Sequence, residues 1–227
     1  MRQIAFLVAV ALALVHLFDT APAAHARQAS PAAADVPAAT APFGLGTVAL
    51  PATEEEIAAL FTRLPTTLAG EPRAAQFARD TGRLSLAYGT DEDGLGPPLA
   101  IHAQDFTRGD FFPTDFTADQ FVRTVARVPD YGTEAFGRDG SLYWVQATTT
   151  VGVAGNQPGT PTLSRPVFTL AWGEASSPWL FGVAATSPTG LASLVTAFVS
   201  LAGGLPASPP ATPSPIALAS DSGASLA

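Results

Sequence analysis

VFTLAWGEASSPWLFGVAA, residues 167–185, has the pattern of two strands joined by a turn. Phe168, Leu170 and Trp172 alternate with Val167, Thr169 and Ala171. Trp179, Phe181, Val183 and Ala185 then alternate with Leu180, Gly182 and Ala184. Bulky apolar groups at every second position mark strands that bury one face. Between the two runs, Glu174 to Pro178 has the Ser and Pro of a turn, so the strands form a hairpin. The other face, with Thr169, Ala171, Gly182 and Ala184, carries little bulk. A small-residue face either lets a second layer approach closely or leaves a shallow groove.

The same period continues towards the N-terminus. Leu84, Leu86 and Tyr88 alternate with Arg83, Ser85 and Ala87, and Leu99, Ile101 and Ala103 with Ala100, His102 and Gln104. The acidic, Gly/Pro-rich run Gly89 to Pro98 links them as a hairpin loop. Leu142 to Val151 is rich in Tyr, Trp, Val and Thr, which suit a pleated, half-buried surface. A turn at Gly137 to Gly140 pairs it back onto Thr133 to Phe136. Gly152 to Pro166 reads as an exposed loop.

Three helices interrupt the strands. Thr53 with Glu56, and Thr117 with Gln120, have the spacing of capping boxes. Ile57, Leu60, Phe61 and Leu64 follow the first, and Phe121, Val122, Val125 and Val128 the second. Ser187-Pro188 opens the third, with a stripe of Leu191, Leu194, Val195, Phe198 and Val199 that ends at Gly203-Gly204. The expected fold is α+β: a mostly antiparallel sheet of five or six strands, with three helices packed mainly on one face.

The ends differ in character. Arg2, the apolar run Ile4 to Phe18 and Ala24-His25-Ala26 have the pattern of a secretory signal peptide over residues 1–26. Cleavage predicts a mature N-terminus at Arg27. Mass spectrometry of exported protein checks this, and a chain still starting at Met1 contradicts it. Residues 27–42 read as an Ala/Pro linker and 206–227 as a Pro/Ser/Ala tail, both too poor in large apolar groups to offset their ordering entropy. Residues 43–205 form the single globular domain, and the expected location is secreted or in the cell envelope.

Composition excludes several chemistries. The chain has 227 residues, 11 basic against 19 acidic side chains and a net charge of −8; every basic residue is Arg. That balance argues against nucleic acid, whose affinity rests on cations meeting phosphates. No stable membrane span is expected after signal cleavage. Absent Cys removes disulfides and thiolate sites, and absent Lys removes Schiff-base chemistry. No metal site and no cofactor is expected.

The remaining candidates are few. His102 is the one His beyond Ala26, and a Ser-His-Asp arrangement would use it with Asp105. It lies on the non-apolar phase of its strand, which predicts a solvent-facing residue. The run 105–119 packs four Asp and four Phe into 15 residues. Asp105, Asp110, Asp115, Asp119 and Glu134 could supply the carboxylate pair of a glycosidase-like secreted hydrolase. Local hydrogen bonds and the helix dipole account for the same aspartates without a substrate. Tyr143, Trp144, Trp172 and Trp179 could line an apolar pocket or fill the core. By exclusion, the expected function is an exported non-enzymatic module that binds a protein partner or a small apolar ligand.

Overall fold

The computed structural model describes residues 38–77, 82–91, 95–108, 116–127, 131–153 and 163–203. The chain is α+β, as the hairpin reading requires, but among the described residues its antiparallel sheet has eight strands rather than five or six. They are β1 (Thr67–Leu68), β2 (Glu71–Phe77), β3 (Arg83–Tyr88), β4 (Leu99–Asp105), β5 (Thr133–Asp139), β6 (Leu142–Val153), β7 (Leu163–Glu174) and β8 (Trp179–Ala185). Their order is β1-β2-β3-β4-β8-β7-β6-β5, so the chain crosses over once, after β4. A four-strand meander then returns β8 to pair with β4.

The strands missing from the sequence reading are β1 and β2. β1 has two residues, and β2 carries Pro72, Arg73 and two alanines, with no alternation of large apolar groups. Pairing with β3 at Arg73↔Tyr88 and Gln76↔Leu86 imposes strand geometry on it. Pro lacks the N–H that a central strand must donate, so β2 stands near the edge of the sheet. β6 and β7 also run further than expected. Their ladder reaches Gly152↔Ser164 and Val153↔Leu163, so both ends of the expected loop 152–166 are strand.

The helices are α1 (Glu54–Arg63), α2 (Ala118–Val125) and α3 (Pro188–Ala202), preceded by a 3-10 helix at Pro42–Thr47. The α1 capping box forms: Thr53 Oγ1 accepts the Glu56 N–H, and Glu56 accepts the Thr53 and Ala52 N–H groups. Those donors hold the Glu56 carboxyl below the usual carboxylate range. α1, α3 and the 3-10 helix cover one face, with Ile57, Phe61, Leu194 and Phe198 against Leu86, Ile101, Trp172 and Phe181. Trp172 stacks on Phe181 at 5.7 Å, and Phe198 meets Trp172 edge-on at 5.4 Å. Ala41, within the segment read as linker, is 4% exposed and packs in this core. The signal segment and the tail 206–227 lie outside the described residues.

α2 departs from the expected arrangement. It packs on the opposite face, where Phe121, Val122 and Val125 bury with Phe106, Val145 and Leu180. The small residues explain its seat. A Cβ on Gly173 would stand 2.7 Å from Ala118 Cβ, so the bare strand lets the first turn of α2 come down onto the sheet. Gly132, entering β5, is fixed differently: its φ is +65° and a Cβ there would meet the Thr148 carbonyl.

Candidate functional site

A cavity of about 20 Å³ lies on the α2 face of the sheet. Val125, Tyr131, Val145, Thr169, Ala171, Gly182 and His102 line it. Four strands contribute: His102 from β4, Gly182 from β8, Thr169 and Ala171 from β7, and Val145 from β6. The small face read from the sequence therefore does both things expected of it. Near Gly173 it lets α2 approach, and near Ala171 and Gly182 it leaves room.

His102 stands directly opposite Gly182 in the β4–β8 ladder. A Cβ on Gly182 would lie 2.3 Å from His102 Nε2, so only glycine leaves space for the imidazole. The expectation of a solvent-facing His102 holds for its phase and fails for its surroundings. The ring is half-buried in the cavity wall, and burial pushes its pKa down to about 4, helped by the Arg83 charge. Tyr131 lines the same cavity, and burial pushes its phenol up to about 12. Both groups are uncharged at neutral pH. The site has hydrogen-bonding edges but no ion, the electrostatics of a place that receives a neutral group.

Thr169 Oγ1 is committed to the Ala147 carbonyl at 3.1 Å. Ser85, paired with His102 across β3–β4, is 1% exposed and its Oγ has no hydrogen-bond partner among the described residues. No such bond joins Ser85 to His102, so the nucleophile–base contact of a serine hydrolase is not made between them. Sequence reading missed Ser85 and Tyr131. The strand register Ser85↔His102 would have found the first. Nothing local marks Tyr131, which enters the site only because β5 follows α2 across the sheet.

The other candidates are dispersed. Asp105, at the end of β4, accepts the Thr107 N–H at 2.8 Å and its hydroxyl at 2.6 Å, a local turn. Asp119 accepts from Thr117 Oγ1 at 2.5 Å and pairs with Arg123 at 2.8 Å in the first turns of α2. Glu134 is exposed on the edge strand β5 and accepts from Gln146 and Thr148. None of these three carboxylates lines the cavity. Asp110 and Asp115 lie outside the described residues.

The four aromatics do not form one pocket. Trp144, Trp172 and Trp179 are 5%, 0% and 3% exposed in the core beneath α1 and α3, and Tyr143 points to the α2 face. Trp179 Nε1 donates to the Ala52 carbonyl at 2.9 Å, whereas the cross-strand neighbours Trp144 and Trp172 have no partner for their indole N–H groups among the described residues. Among the described residues no three His, Cys, Asp or Glu side chains gather as metal ligands, and no helix is long and apolar enough to cross a membrane. No family model matches the chain, and no curated protein or solved structure matches it either.

Proposed function

We propose that the chain is an exported, non-enzymatic binding module whose contact surface is the α2 face of the sheet. The cavity lined by Val125, Val145, Ala171 and Gly182 carries this reading. Sites for whole small molecules run to roughly 300–1,000 Å³, whereas a water-sized void needs about 10–15 Å³. A cavity of about 20 Å³ suits a methyl or the tip of a branched side chain. The occupant is therefore the apolar tip of a side chain on a protein partner, with His102 and Tyr131 neutral beside it. Export rests on the leader read in residues 1–26.

The hydrolase reading needs two carboxyls roughly 5–9.5 Å apart across a cleft. Asp105, Asp119 and Glu134 are each held by neighbours on separate elements, which favours the module.

Isobutanol mimics a branched side-chain tip. Titrated into 15N-labelled protein, it is expected to shift the Val125, Val145, Ala171 and Gly182 amides. Ala171→Val adds two methyl groups to the cavity wall on a strand that accepts β-branching. It is expected to keep the fold and lose those shifts. Shifts that survive Ala171→Val, or that fall elsewhere in the wild type, contradict the reading.

A further inference from the structure

We propose that Arg123, Tyr143 and Arg138 form an oxyanion-binding site on the α2 face, for a carboxylate or phosphate group of a ligand. In a chain with 11 basic and 19 acidic side chains, two guanidinium groups share one tyrosine ring. The Arg123 guanidinium carbon lies 5.0 Å from the Tyr143 ring centroid and that of Arg138 lies 5.4 Å from it. The two cations are thus no farther apart than those two distances combined. Cation–π contact holds each head group in place beside the ring; Arg123 shares its charge with Asp119, whereas Arg138 makes no ion pair among the described residues.

Their anchors leave donors over. Arg123 spends Nη2 on Asp119 at 2.8 Å and directs Nε to the Asp119 carbonyl. Arg138, directly opposite Tyr143 in the β5–β6 ladder, spends Nε on the Gly140 carbonyl at 2.7 Å. Both Arg138 terminal nitrogens and Arg123 Nη1 have no hydrogen-bond partner among the described residues. A guanidinium presents such donors in a planar fork matched to two oxygens of a carboxylate or phosphate. Arg138 is exposed and Arg123 partly so, and an incoming anion can reach them.

None of the three residues lines the cavity, so this site stands or falls apart from the isobutanol test. Tyr143 and Val145 nevertheless share a face of β6, and Arg123 and Val125 share α2. An acidic group and an apolar tip on one ligand could engage both.

The test is a titration of the protein with sodium acetate and, separately, with inorganic phosphate, at low fixed ionic strength balanced with chloride. The readout is the arginine Nε–H signals and the Tyr143 amide. Saturable shifts at Arg123, Arg138 and Tyr143 are expected, and Arg138→Gln is expected to weaken binding at least tenfold with an unchanged melting temperature. Tighter acetate binding assigns a carboxylate and tighter phosphate binding a phosphate; either supports the site. Shifts no larger than chloride gives, or an affinity that Arg138→Gln changes less than twofold, overturn it.

Discussion

Phe198→Ala is expected to destabilise the protein by roughly 3–5 kcal/mol, the cost of emptying a fully buried phenyl site. Phe198 is 0% exposed, in the third turn of α3. Its ring lies 5.4 Å from Trp172 and 5.7 Å from Phe181, so it ties α3 to β7 and β8 at once. Truncation leaves a void that those two stacked rings cannot close without leaving their strands. A domain of this kind has about 5–15 kcal/mol in total, and no disulfide limits the unfolded chain. At about 2–4 °C per kcal/mol for this size, the melting temperature is expected to fall by roughly 10 °C. Thermal unfolding followed by circular dichroism checks it. A variant that melts within about 2 °C of wild type shows that α3 does not seat through Phe198.

The second large effect is a loss of stability in mild acid that belongs to His102. Its folded pKa is about 4, against about 6.5 for an unperturbed histidine. Below pH ~6.5 the unfolded chain binds a proton that the folded chain refuses until pH ~4. Stability is therefore complete above the unfolded pKa and is lost as pH falls through that window. The loss is roughly 2–3 kcal/mol, allowing for a half-buried ring. Carboxylates titrate in the same range, so the measurement is a difference. Urea unfolding at a series of pH values is run on wild type and on His102→Gln. The variant is expected to lack that part of the slope, because its amide does not titrate. Equal slopes in the two proteins would mean that His102 is solvated and that the cavity wall is open.

Alternation in β3, β4, β7 and β8 was legible because bulky groups fall on one phase and Ser85, His102, Thr169 and Gly182 on the other. The capping residues Thr53 and Ser187 marked the helix starts for an equally local reason. β2 was not legible, because its register comes from β3 and not from its own pattern. The side of the sheet that α2 takes was not legible either. Its stripe of Phe121, Val122 and Val125 suits any apolar layer, and the choice is made by Ala118 finding bare backbone at Gly173.

The candidate site divides in the same way. The phase of His102 and the low bulk of Ala171 and Gly182 could be read directly. That His102 is covered could not, since Val125 and Tyr131 reach it from chain more than 20 residues away. Trp144, Trp172 and Trp179 illustrate the converse. Large aromatics on strands look alike in sequence whether they line a pocket or fill a core, and here all three are buried beneath α1 and α3.

The proposed seat of an apolar side-chain tip is the cavity beside His102 on the α2 face. It is tested most directly by a crystal of the protein soaked in isobutanol. One ordered alcohol is expected there, its methyl groups against Val125, Val145 and Ala171. A cavity filled instead by ordered water, with the alcohol bound at another surface or nowhere, would contradict it.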